Sequence, residues 1–262
     1  MGAIHVGEIT VEALYDGTAG LKPEMWSGAD WTDHRDLIDA DGMIIVPVGG
    51  FLVRTGDRMV LLDAGIGPVV NPMFRGGALL ASMAAAGVQP GEIDTIVISH
   101  LHSDHVGWLE RDGEAVFSNA TVHIGAADWA YFVEHEGDGP RRAVRMRSVA
   151  DHVTLIDDDA TVAPGITTRA TPGHTPGHTS TVISNGSERL IVLGDALHCP
   201  AQLTETEWTF LFDVDPELAV RTRQALLREA EEPATTLLPC HFPGMQAARL
   251  VAAEGRRHWV LG

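Results

Sequence analysis

The stretch Ser99-His100-Leu101-His102-Ser103-Asp104-His105 places four potential metal ligands within seven residues. It follows Ile93-Asp94-Thr95-Ile96-Val97-Ile98, a β-branched run that reads as a buried strand. A strand running into a loop of three histidines and an aspartate offers nitrogen and oxygen donors together, a mixture that suits zinc and also iron, manganese or cobalt. Thirteen histidines in 262 residues will sometimes fall close together by chance. His and Asp crowded at a strand end are nevertheless costly to bury without a cation or other partners. The segment therefore reads as part of a metal site.

The rest of the chain sets the frame. A length of 262 residues with 45% apolar content fits one large α/β domain spanning residues 1–262, with a sizeable core. Eighteen basic side chains against 36 acidic ones give a formal charge of −18, which repels phosphate backbones and argues against a nucleic-acid partner. The N-terminus lacks a basic segment followed by an apolar one. Nowhere does the chain reach the roughly 18 apolar residues needed to span a bilayer. The expectation is a cytoplasmic protein with no membrane partner. Two cysteines, Cys199 and Cys240, make no disulfide framework and read as small buried thiols.

In chain order, residues 4–15 read as a first strand, and residues 18–42 as a long irregular segment holding Trp26 and Trp31. Residues 43–53 and 58–63 form a hairpin across the turn Arg54-Thr55-Gly56-Asp57. A helix over 79–86 is closed by Gly87; a strand at 121–124 and a helix over 126–134 follow. Residues 135–150 carry Arg141, Arg142, Arg145 and Arg147, which read as a solvated face. Strands are expected at 153–156, 166–170, 180–184, 190–193 and 235–238. The clearest helix is 216–231, with Pro216 at its start. Strands with helices inserted between them in each half predict two packed sheets covered outside by helices.

Three further loops carry chemistry: Thr171-Pro172-Gly173-His174-Thr175-Pro176-Gly177-His178, Gly194-Asp195 and Pro239-Cys240-His241. Each follows a predicted strand, and each is weak alone. With His-x-His-x-Asp-His, and in this order, the four loops closely resemble those of the metallo-β-lactamase-fold hydrolase superfamily. The likeness spans residues 100–241, and the leading hairpin through Asp63 fits it too. It implies an αββα fold with a metal cleft at one edge of the β-sandwich. Carried over residue by residue, it implies that His100, His102 and His178 hold one divalent metal. Asp104, His105 and His241 would hold a second, Asp195 would bridge the two, and His174 would stand behind the ligands.

The bridging Asp195 resembles the dinuclear lactonase, glyoxalase II and phosphotriesterase branches rather than the antibiotic-degrading enzymes. The implied chemistry is a hydroxide, activated between two cations, attacking a lactone or carboxylic ester. Asp104 would return a proton to the leaving group. His198 stands where many acyl-homoserine lactonases have a tyrosine, and the segment from Gly194 to Gln202 is similar to that of the methyl parathion hydrolase subgroup. His198 would donate to a developing oxyanion or shuttle a proton. Alternatives are phosphotriester hydrolysis, thioester hydrolysis of the glyoxalase type, a one-iron sulfur dioxygenase and a non-catalytic scaffold. Trp26, Trp31, Phe51, Trp108, Trp208, Phe210 and Phe242 are candidates for an apolar substrate pocket. A homodimer is an expectation from the resemblance alone.

Overall fold

The structure is a computed structural model, and it describes residues 2–134, 146, 148–157, 159–253 and 256–261. Two mixed β-sheets lie face to face. In the first, strands β1 (Ile4–Val6), β2 (Ile9–Leu21), β3 (Ile44–Thr55), β4 (Arg58–Leu62), β5 (Thr95–Val97), β6 (Thr121–Gly125) and β7 (Val153–Ile156) lie side by side in chain order. The first four pair antiparallel, β1–β2 and β3–β4 through tight turns and β2–β3 through the long segment between Leu21 and Ile44. From β4 onward the pairing is parallel. Parallel neighbours need crossovers, and α1 (Leu79–Ala85), α2 (Ser103–Val106) and α3 (Ala126–Trp129) lie within these connections.

The second sheet is also in chain order: β8 (Thr161–Ala163), β9 (Ile166–Ala170), β10 (Thr179–Asn185), β11 (Glu188–Val192), β12 (Thr235–Leu238), β13 (Ala248–Ala253) and β14 (Arg256–Leu261). Its one parallel pair, β11 with β12, is bridged by α4 (Pro216–Glu229). Asp215 caps α4 by accepting the Leu218 N–H, and Pro216 occupies the first turn, where no N–H is needed.

Side-chain alternation sorts the core into layers. Val11, Phe51, Val53, Val60, Leu62 and Val97 from the first sheet meet Ile166, Ile183, Leu190, Val192 and Leu238 from the second. The opposite face of the first sheet, with Leu52, Leu61 and Ile96, packs on Leu79 and Met83 of α1. On the other side, Val182, Ile191 and Leu237 pack on Leu226 and Leu227 of α4. The expected two-sheet sandwich with outer helices is therefore present.

Local differences have physical causes. β2 runs on to Leu21 through a register shift between Tyr15 and Gly17, so the irregular segment starts later than expected. The helix expected over 126–134 is α-helical only to Trp129 and then widens into a π-turn over Ala130–Glu134. Arg141, Arg142, Arg145 and Arg147 lie outside the described residues. No helix among the described residues is long and apolar enough to cross a membrane.

Candidate metal centre

The carboxyl ends of β4, β5, β9, β11 and β12 open onto one edge of the sandwich, and the chemistry-bearing loops follow from them. Asp63 ends β4 with φ at 58°, a left-handed conformation that a non-glycine residue adopts only when its surroundings impose it. Its carboxylate accepts the Ser99 N–H at 2.7 Å and the Ser99 hydroxyl at 2.9 Å, fixing the start of the histidine loop. Asp128 of α3 clasps two loops at once. It accepts from Leu101 N–H, from the Thr175 hydroxyl and from Gly177 N–H. Burial outweighs those donors and raises its carboxyl to about 6.

Two groups of ligand atoms result. In one, His100 Nε2 and His174 Nε2 each lie 2.9 Å from His102 Nδ1. In the other, Asp104 Oδ2 lies 3.8 Å from both His105 Nε2 and His241 Nε2. Asp195 joins them. Its Oδ2 is 3.6 Å from His100 Nε2 and 3.4 Å from His174 Nε2, while its Oδ1 is 3.2 Å from His105 Nε2 and 3.1 Å from His241 Nε2. One carboxylate thus faces both groups with a separate oxygen for each.

The far ring nitrogens are anchored, which aims the near ones inward. His105 Nδ1 pairs with Asp63 at 2.9 Å and His174 Nδ1 with Asp213 at 2.9 Å. His241 Nδ1 donates to Pro47 O at 2.8 Å, and His100 Nδ1 lies 3.0 Å from the Ser99 hydroxyl.

These residues fit divalent metal ions. Burial, reinforced by neighbouring histidines, pushes His100 and His174 well below the ordinary imidazole range, so both are neutral and able to ligate. His105 Nε2 and Asp195 Oδ1 are buried without a hydrogen-bond partner. Three ring nitrogens converging in one place, together with an orphaned imidazole nitrogen and an orphaned carboxylate oxygen, are what a cation would satisfy.

The structure corrects one expected ligand. His178 does not face the centre: its Nε2 accepts the Asp195 backbone N–H at 2.9 Å and its Nδ1 donates to Thr171 O at 3.0 Å. Both nitrogens are thereby engaged, and burial pushes the ring down to about 4. His174 takes the place expected for it. Gly194 makes this arrangement possible, because its φ is +57° and a Cβ there would stand 2.6 Å from His178 Nε2. Cys199 and Cys240 are buried free thiols, raised chiefly by burial, and neither belongs to a ligand group.

A cavity of about 540 Å³ opens above the centre. His102, Ser103, Asp104, His174, Asp195, His198, Asp213 and His241 form its polar part. Ala19, Leu21, Val46, Met73 and Phe74 make one apolar wall, and Phe210, Leu211, Phe212 and Val214 another. No lysine or arginine lines it among the described residues. Of the seven aromatic candidates only Phe210 lines the cavity.

The others lie in the core, except Trp31, which is half-buried against it. Phe51 is between the sheets, Trp108 packs in the outer layer and donates to Asp16, and Phe242 packs on Trp259. Trp26, Trp31 and Trp208 form an aromatic cluster behind Phe210. Met73, Phe74, Leu211, Phe212 and Val214 were missed. Short and irregular, they carry no periodicity to mark them, although consecutive apolar residues in a loop are a usable signal.

A two-sheet sandwich with outer helices and a carboxylate-bridged pair of His/Asp groups at one edge defines a class. The chain belongs to the metallo-beta-lactamase superfamily, whose pattern it matches over residues 50–241. An N-acyl homoserine lactonase of Bacillus cereus is 25% identical over 244 residues, covering 84% of this chain and 91% of that protein. Metallo-beta-lactamase domain-containing protein 1 of Xenopus laevis is 28% identical over 211 residues, covering 79% and 73%. In fold, the chain is similar to AidC, a dizinc quorum-quenching lactonase solved with a homoserine product. Their TM-score is 0.87 at 23% identity, over 100% of this chain and 97% of that one.

Proposed function

We propose that this protein is a dinuclear metal-dependent lactonase, with zinc as the metal pair and N-acyl homoserine lactones as the substrate class. The observation that carries the reading is Asp195, whose two oxygens face separate His/Asp groups at the floor of a cavity with apolar walls. The lactonase relatives in sequence and fold support the choice of substrate. His100, His102 and His174 would hold one ion, Asp104, His105 and His241 the other, and Asp195 both.

Bound there, the two cations supply Lewis acidity and a water acidic enough to be a nucleophile near neutral pH. The chain's own residues do the rest. The apolar walls take an acyl chain and exclude water from the reacting carbonyl. Asp104, which lines the cavity, would return a proton to the oxygen that leaves as the ring opens. A lining without lysine or arginine holds no anionic tail, which disfavours glutathione-type thioesters. Hydrolysis of N-hexanoyl-homoserine lactone, followed by acid release and compared with the same sample after chelation, tests the reading. Metal-dependent ring opening is expected; no turnover in zinc-loaded protein would reject it.

A further inference from the structure

Between Phe210 and Asp215 the chain makes one tight turn on its way into α4. Asp213 N–H donates to Phe210 O at 2.9 Å, and Phe210 N–H donates back to Asp213 Oδ2 at 2.7 Å. Leu211 and Phe212 stand at the tip of the turn, 66% and 44% exposed, and Val214 follows at 39%. With Phe210 these three make one apolar wall of the cavity. Side chains so open to solvent have little packing to fix them, so the placing of this wall falls to the polar ties of its turn.

Those ties lead to a ligand loop of the metal centre. Asp213 is buried, and its second oxygen, Oδ1, accepts from His174 Nδ1 at 2.9 Å. That bond leaves the lone pair of His174 Nε2 directed at the centre. Val214 N–H donates to His174 O at 3.0 Å, and Asp215 N–H to Gly173 O at 2.9 Å. The ligand loop in turn leans on α4. The Thr222 hydroxyl donates to Pro172 O at 2.6 Å, and a Cβ at Gly173 would stand 2.3 Å from Ala219 N. On its far side the turn is joined to another segment, with Thr209 and Phe210 paired to Ser27 and Trp26 and Leu211 N–H donating to Met25 O.

We infer that Asp213 is a positioning residue that couples the acyl-chain wall to the ion held by His174, one carboxylate oxygen fixing the ligand ring and the other fixing the turn. The inference rests on the metal and substrate reading given above. The ion holds the ring, the ring holds the carboxylate, and the carboxylate holds Phe210 to Val214. Linkage makes the effect reciprocal: an acyl chain lying on the ordered wall must tighten the ion by the factor by which the ion tightens the chain. Asparagine cannot serve both partners. An amide has one accepting oxygen, and its NH2 would face either the Phe210 N–H or the His174 Nδ1–H.

Hydrogen exchange across residues 209–215, compared in zinc-loaded and chelated protein, tests the coupling without substrate. In the wild type, chelation is expected to speed exchange there about tenfold, while the surface hairpin that pairs Glu110 with Ala115 changes less than about twofold. In Asp213→Asn the segment should exchange fast with or without zinc, and zinc affinity by chelator competition should fall about 10- to 100-fold. At saturating zinc, the same variant should lose about tenfold in kcat/KM on N-decanoyl relative to N-butanoyl homoserine lactone, because the longer chain depends on the wall. A general loss of stability does not move that ratio.

Wild-type exchange indifferent to zinc would overturn the coupling, a result that needs no folded variant. Zinc-dependent protection that survives in Asp213→Asn, or an unchanged chain-length ratio there, would overturn it equally. Zinc-gated protection in a protein that opens no lactone would establish the coupling and reject only the lactonase reading.

Discussion

At the residue scale the centre is decided by which ring nitrogen each histidine has left over. His174 and His178 sit in two copies of the same Thr-Pro-Gly-His pattern, and nothing local distinguishes them. What separates them is remote: Asp213 turns His174 toward the centre, while the Asp195 backbone occupies His178. The sequence therefore showed that this loop supplies a ligand and could not show which ring. His174→Ala is expected to lower bound zinc from about two to about one per chain. His178→Ala should keep both ions but lower Tm by about 5 °C, because it strips a buried partner from Asp195. Elemental analysis beside thermal melts checks both, and the reverse pattern would restore His178 as the ligand.

Protonation belongs to the same scale. Burial opposes charge on His105 and His241, yet nearby carboxylates, Asp195 foremost, outweigh it and hold both rings above the ordinary imidazole value. His100 and His174, lowered by burial, have no proton to lose. Zinc binding must then displace up to two protons, so affinity should rise with pH and level off above the folded values of His105 and His241. The raised rings also stabilise the metal-free fold below about pH 6.5, and that contribution is lost as pH rises through their folded values. Both effects have one sign. The Tm difference between zinc-loaded and chelated protein should widen from pH 6 to pH 8; a constant difference would contradict this.

At the scale of elements, α4 shows where pattern reading stops. The expected helix over 216–231 is present as Pro216–Glu229, but its buried face is Ala219, Arg223, Leu226 and Leu227. Ala225 is exposed, and an arginine occupies the core side. Binary patterning cannot foresee a buried cation whose partners are the carbonyls of another loop. Arg223→Met removes the donors from those carbonyls and is expected to cost about 3 kcal/mol of stability by urea unfolding. An unchanged midpoint would show that the loop is held by packing alone.

For the whole molecule, chain order and sheet order coincide, which is why alternating strands and helices sufficed to predict the sandwich. The ligand loops were legible because they follow strands whose carboxyl ends share one edge. Apart from Phe210 the substrate walls were not, since Met73, Phe74, Leu211, Phe212 and Val214 reach the cavity only through tertiary folding. Buried ligands with orphaned atoms also tie the metal to the fold as a whole. Chelation is expected to lower Tm by about 10 °C, reversibly on adding zinc.

The central claim is that the two groups joined by Asp195 hold two metals and open a lactone ring. The most direct measurement counts zinc and follows N-hexanoyl-homoserine lactone hydrolysis on one sample during stepwise chelation. The account predicts about two ions per chain and turnover that vanishes as they are withdrawn. Full turnover in protein stripped of metal would contradict it.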